Sequence, residues 1–181
     1  MHTKRSRAGA AAKALPIALL AVLALAVPAS ATLTASVQDL AMPAAPYSHH
    51  PQVTTGRAVL TATDSSPTGL GVGWNVTEQT SSLVYSGPNH GVGIPAANLS
   101  VASVEAPVAQ TGSQPIDPTG GPGAPASVAG SLDTPRMVLH ANSGYGTGTY
   151  TQGIALSLSI PADTRAGTYT ATLTTTISSG P

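Results

Sequence analysis

Cysteine and phenylalanine are both absent from these 181 residues, tryptophan occurs once, at Trp74, and lysine occurs only at Lys4 and Lys13. The missing cysteine excludes disulfides, thiol nucleophiles and thiolate metal sites together. Charged residues make up 8% of the chain, against roughly 25% in ordinary soluble domains. Beyond residue 31 only Arg57, Arg136 and Arg165 are basic, facing seven carboxylates, which leaves a net charge of −4. Three scattered arginines cannot neutralise a run of phosphates, so nucleic acid is excluded as a partner, and a basic amphipathic helix lying on a membrane is excluded with it. With no Phe, the core has to be built from Val, Leu, Ile, Ala and a few Tyr.

One long apolar run is present, and it sits at the N-terminus. Lys4, Arg5, Arg7 and Lys13 precede a stretch from Ala14 to Val27 of about fourteen residues, almost all Ala, Leu, Val and Ile. A membrane-crossing helix needs roughly twenty. Ala29-Ser30-Ala31 follows, with small residues at Ala29 and Ala31 where a signal peptidase requires them. The order is that of a cleavable secretory signal over residues 1–31. The expected mature protein is residues 32–181, secreted and free of the membrane once the signal is removed. Arg5 and Arg7 are not adjacent, which disfavours a twin-arginine signal. No cysteine is available for a lipid anchor. The sequence closes at Pro181 without a sorting motif, so any attachment to a cell surface is expected to be non-covalent.

In the mature part the apolar residues recur with a period of two, the signature of half-buried strands. Leu70, Val72, Trp74 and Val76 alternate with Gly71, Gly73, Asn75 and Thr77. Ile154, Leu156, Leu158 and Ile160 do the same, as do Tyr169, Ala171, Leu173, Thr175 and Ile177 against a row of threonines. Shorter strands are expected in 33–38, 57–63, 82–85, 99–104 and 136–140. Turn clusters separate them, as at Asp64–Gly69, Ser86–Asn89 and Pro161–Asp163, and no stretch has a helical period. The pattern predicts an all-β domain, an antiparallel β-sandwich or barrel-like fold. Residues 105–135, rich in Pro and Gly, cannot run inside a sheet and are expected to form a long mobile loop. A second irregular stretch is expected at 40–55.

Nothing in the spacing announces catalysis or a cofactor. His49 and His50 are adjacent and would point to opposite faces of a strand, while His90 and His140 are remote in sequence, so no metal site is expected. There is no G-x-S-x-G, and the carboxylates are spread singly, mostly at turns or strand ends. Gly144-Tyr145-Gly146-Thr147-Gly148 imitates a nucleotide loop but is not followed by a helix whose N-terminus could hold phosphate. Asn75-Val76-Thr77 and Asn98-Leu99-Ser100 match glycosylation sequons.

Gly73-Trp74-Asn75-Val76-Thr77 after the Asp64–Gly69 turn, taken with the terminal Gly167-Thr168-Tyr169 through Leu173 to Ile177, resembles the WxL surface domain of Gram-positive bacteria. That family is named for a Trp-x-Leu near the front of the domain and another at its end. The resemblance spans roughly residues 52–181. Here the first motif reads Trp74-Asn75-Val76, and Thr175 and Ile177 stand where the second has Trp and Leu. The resemblance implies a secreted, non-catalytic module that binds a cell-wall polymer (peptidoglycan or an associated glycan) non-covalently. Alternatively it implies a subunit of a multi-protein complex that binds other surface proteins; a secreted hydrolase is the least favoured reading. It marks Trp74, Val76, Tyr169, Leu173 and Ile177 as motif residues. The alternation itself places Trp74 in the core.

Overall fold

A computed structural model describes residues 31–88 and 90–180. The signal segment 1–30, with Ala29 of the cleavage site, lies outside the described residues, and Ala31 is the first of them. Eleven strands follow in order: β1 Leu33–Val37, β2 Gln52–Asp64, β3 Trp74–Thr80, β4 Val84–Ser86, β5 Leu99–Val104, β6 Val108–Ala109, β7 Gly130–Ser131, β8 Arg136–Ala141, β9 Gly148–Ile160, β10 Thr168–Thr170 and β11 Leu173–Ser179. A single 3-10 turn, Ala96–Asn98, precedes β5.

The fold is all-β and antiparallel. The larger sheet runs β1-β2-β9-β5-β7, with β6 also on β9; a second sheet runs β11-β3-β8, and β4 and β10 form a two-stranded ribbon. Its centre is the ladder of β2 with β9, which holds register from Gln52 opposite Ile160 to Asp64 opposite Gly148. The register follows from the inward row of Ala58, Leu60 and Ala62 meeting that of Tyr150, Ile154, Leu156 and Leu158, because a one-residue slip would turn those side chains to water. Ala58, Leu60 and Ala62 from β2 and Tyr150, Ile154, Leu156 and Leu158 from β9 face inward, against Trp74 and Val76 of β3 and Val138, Leu139 and Ala141 of β8. These are the two inner faces of a sandwich.

Three expectations need correction. Leu70 and Val72 do not share a face with Trp74: they are 75% and 61% exposed, while Trp74 and Val76 are fully buried. The strand starts only at Trp74 because Gly73 takes a positive φ of 82°, which breaks the alternation just before it. Tyr169 and Leu173 do not lie on one strand either. Thr172 donates its N–H to Ser81 Oγ (3.0 Å) and accepts from Ser81 N (3.0 Å), so the ladder stops there; Tyr169 pairs with the ribbon and Leu173 with β3. Ala171, between them, is exposed.

Residues 105–135, expected as a mobile loop, carry β6 and β7 and are tied down elsewhere. Gln114 N donates to Thr147 O (2.8 Å), Gly123 and His140 exchange backbone bonds of 2.8 and 2.9 Å, and Leu132 is fully buried with its N–H on Leu99 O. The prolines are kept out of the ladders, as they must be, while Gln110, Gln114, Gly123 and Leu132 between them donate backbone N–H bonds to Thr149, Thr147, His140 and Leu99.

Gly146 shows how the turn before β9 serves the core. It has φ 79°, accepts the Trp74 indole N–H at 3.2 Å, and a Cβ placed on it would come within 2.7 Å of that indole nitrogen. Gly146→Ala combines a left-handed alanine, costing about 1–2 kcal/mol, with a clash on a fully buried ring. Thermal unfolding should show a loss of at least that size; a melt like the parent's would mean the turn is free to move off the ring.

Candidate functional site

The motif residues divide into core and flank. Trp74 and Val76 are fully buried; Leu173 and Ile177 of β11 and Tyr169 of β10 are half-buried against the core. Trp74 lies beside Tyr150, their rings 6.3 Å apart and tilted by 45°. Thr175 keeps the inward register opposite Glu78 and donates its hydroxyl to both carboxylate oxygens, at 2.9 and 3.0 Å.

Glu78 itself departs from the expectation that the acids sit at turns and strand ends. It is in phase with Trp74, Val76 and Thr80 and is 1% exposed. Burial pushes its carboxyl up to about 7, against a smaller downward pull from the Thr175 hydroxyl. The sequence signal was available, since Glu78 stands two and four residues beyond Val76 and Trp74 on the same face.

The outward face of the β11-β3-β8 sheet is of a different character. Thr176 stands opposite Thr77, Thr174 opposite Gln79 and Ser178 opposite Asn75. All six are uncharged and polar, and Thr174, Thr176, Ser178 and Gln79 are exposed. On the outer face of the larger sheet, Arg57 makes a bidentate pair with Glu105, with both contacts at 2.6 Å. It holds the Glu105 carboxyl below the usual range.

A loop pair that the sequence did not bring together joins His49 and Asp163, 114 residues apart. His49 Nδ1 is 2.5 Å from Asp163 Oδ1, and Tyr47 Oη donates to the same oxygen at 3.3 Å. A carboxylate so placed orients an imidazole, yet both side chains are mostly exposed. No serine or threonine hydroxyl bonds to this ring among the described residues. Nor do three or more His, Asp or Glu side chains gather as a metal site among the described residues, and no helix there is long and apolar enough to cross a membrane.

Beside that pair opens a cleft of about 890 Å³ between the larger sheet and the β4/β10 ribbon. Its floor is Leu99, Leu156 and Leu158, with Leu83 and Ile94 at its depth and Tyr169 and Leu173 on the ribbon side. A strap of residues 38–48 borders it, anchored by Gln38 N on Val59 O, by Thr54 Oγ1 on Pro43 O and by Asp163 N on Ser48 O.

No protein-family model matches the chain, and no curated protein or solved structure matches it either. The class that the fold defines is therefore an antiparallel β-sandwich.

Proposed function

We propose that this chain is an exported, non-catalytic surface module that holds bacterial cell-wall polymer, peptidoglycan or an associated glycan, by non-covalent contacts. The signal-like residues 1–31 and the resemblance of the Trp74 and Leu173–Ile177 segments to the WxL domain support export and a surface role. The observation that carries the polymer reading is the outer face of the paired strands β11 and β3. Asn75, Thr77, Gln79, Thr174, Thr176 and Ser178 form two facing rows of uncharged hydrogen-bonding groups. Side chains on one face repeat about every 7 Å along a strand and neighbouring strands lie about 4.8 Å apart. Asn75 Nδ2 and Gln79 Nε2 already donate to Gly180 O and Asp133 O, and the hydroxyls of Thr77, Thr174, Thr176 and Ser178 offer donors and acceptors to a chain of neutral sugars without imposing a charge. Trp74, sealed beneath it, acts as core.

The test is co-sedimentation with purified cell walls. The parent should sediment and be released by denaturant without a wall hydrolase. Replacing Thr174 and Thr176 by Glu, both at exposed positions, should cut retention about tenfold with little change in melting temperature. Full retention by that variant would remove this face from the reading.

A second reading, a secreted subunit that pairs with another surface protein, rests on a separate observation. Leu70 and Val72 stand exposed on a glycine-rich loop at the end of the sandwich, the kind of apolar contact that a protein partner covers. Capture from a surface-protein extract, lost on Leu70→Ser with Val72→Ser, together with no binding to walls, would favour it.

A further inference from the structure

The cleft under the 38–48 strap is a gap in the sandwich core, and we infer that it is a binding site for a neutral ligand carrying a hydrocarbon chain. Elsewhere the inner face of the larger sheet is covered by β3 and β8. At this end the short β4/β10 ribbon and the strap lie opposite, with Leu40 and Met42 over Gly56, and a cleft of about 890 Å³ remains. The volume falls within the range of small-molecule pockets, about 300–1,000 Å³.

The chemistry of the lining selects the ligand. The deep wall is aliphatic, made by Leu83, Ile94, Leu99, Leu156 and Leu158, each buried. Two threonines reach it, Thr54 and Thr80, but their hydroxyls are already donated, Thr54 to Pro43 O at 3.1 Å and Thr80 to Ser81 O at 3.1 Å. A sugar lodged there would find only those two oxygens as acceptors among the deep side chains and would bury its remaining hydroxyls unpaired, which is costly. Among the described residues Asp39 alone brings a charge to the lining, and it is exposed, so a buried ionic group would find no counter-charge. A hydrocarbon chain meets neither penalty. The strap continues the pattern: from Leu40 to Pro46 it reads Leu-Ala-Met-Pro-Ala-Ala-Pro, without a polar side chain. Hydroxyls at the exposed edge, on Thr168, Thr170 and Thr172, can bond a neutral polar head.

The secreted protein is titrated with N-phenyl-1-naphthylamine, a neutral apolar dye whose emission rises when it leaves water. Saturable binding of one dye per chain is expected, displaced by dodecan-1-ol and unaffected by soluble peptidoglycan fragments. Leu173→Trp and Ile160→Trp each place a ring into the cleft from a half-buried position. Each should weaken dye binding at least tenfold, with a melting temperature equal to or above the parent's. Two variants guard against one that fails to fold. The proposal is overturned if the folded parent shows no saturable dye binding, if variants that melt like the parent bind dye as the parent does, or if peptidoglycan fragments displace the dye and the alcohol does not. Wall retention is read in parallel on Ile160→Trp, which leaves the outer threonine face untouched. Retained wall binding with lost dye binding separates this site from that one, and a parent that binds dye but no wall would remove the polymer reading alone.

Discussion

Trp74→Ala is expected to lower the stability of the domain by about 3–5 kcal/mol, the usual cost of deleting a buried aromatic. For a domain of this length that is a fall in melting temperature of about 10–15 °C, and a large share of the roughly 5–15 kcal/mol that domains possess. The indole is fully buried, donates its N–H to Gly146 O and lies against Tyr150, so truncation opens a cavity and orphans a carbonyl acceptor in one step. Because Trp74 is the sole tryptophan, its fluorescence reports on that site alone and should be that of an indole shielded from water. Leu70→Ala and Val72→Ala are the controls. Both residues are exposed, so each should change stability by no more than about 0.5 kcal/mol. Had the chain continued as one strand through Gly73, all three would have been costly. A Trp74→Ala protein that melts like the parent would remove the core assignment and make the ring a contact residue.

The second large effect follows pH. The Glu78 carboxyl titrates near 7 in the folded protein, raised from 4.5, chiefly because burial penalises its charged form. A raised acid is protonated longer in the folded state than in the unfolded one. Its full contribution to stability is therefore present below about 4.5, is lost as pH rises through about 7, and stays lost above. The two pKa values correspond to a loss of about 3 kcal/mol across that window. Denaturant unfolding at pH 5 and pH 8 should show it, with the lower stability at pH 8. Glu105 and Asp117 are shifted the other way by Arg57 and by the Thr119 and Gly120 amides; their effect falls below that window, in the acid range. Glu78→Gln keeps an oxygen for the Thr175 hydroxyl and cannot ionise. It should flatten the profile and stand above the parent at pH 8 while matching it at pH 5. Thr175→Val removes the hydroxyl that eases the ionised form, and should deepen the loss at pH 8 more than it alters pH 5. Equal stability of the parent at the two pH values would show that water reaches this carboxyl.

The two predictions bear on residues that carry the proposed resemblance to the WxL domain. Trp74 and Val76, expected in the core from the alternation, are fully buried. At the second motif the position occupied by Thr175 keeps its inward register, but it faces a carboxylate. A tryptophan there would compete with Glu78 for the same interior. That departure was visible in the letters; its consequence, a buried titrating acid held by a threonine, required the pairing of β11 with β3.

What the amino-acid order determined by itself is the all-β class, the absence of staples and basic surfaces, the inward row from Ile154 to Leu158 and the burial of Trp74. The missing staples and basic surfaces follow from composition alone; the rest follows from local sterics and a period of two, held for Trp74 by its phase with Val76. Tertiary structure decided the rest. The left-handed Gly73 turned Leu70 and Val72 outward, because a glycine can adopt that backbone as readily in the middle of an alternating run as at its end. Ser81, ninety-one residues away, ended the ladder at Thr172 and sent Tyr169 and Leu173 to different layers. The Pro/Gly stretch found its hydrogen bonds on β8 and β9, and His49 met Asp163 across 114 residues. The cleft exists because the layer opposite the long β2 and β9 strands is too short to cover them, and the relative lengths of paired layers are set only when distant strands meet.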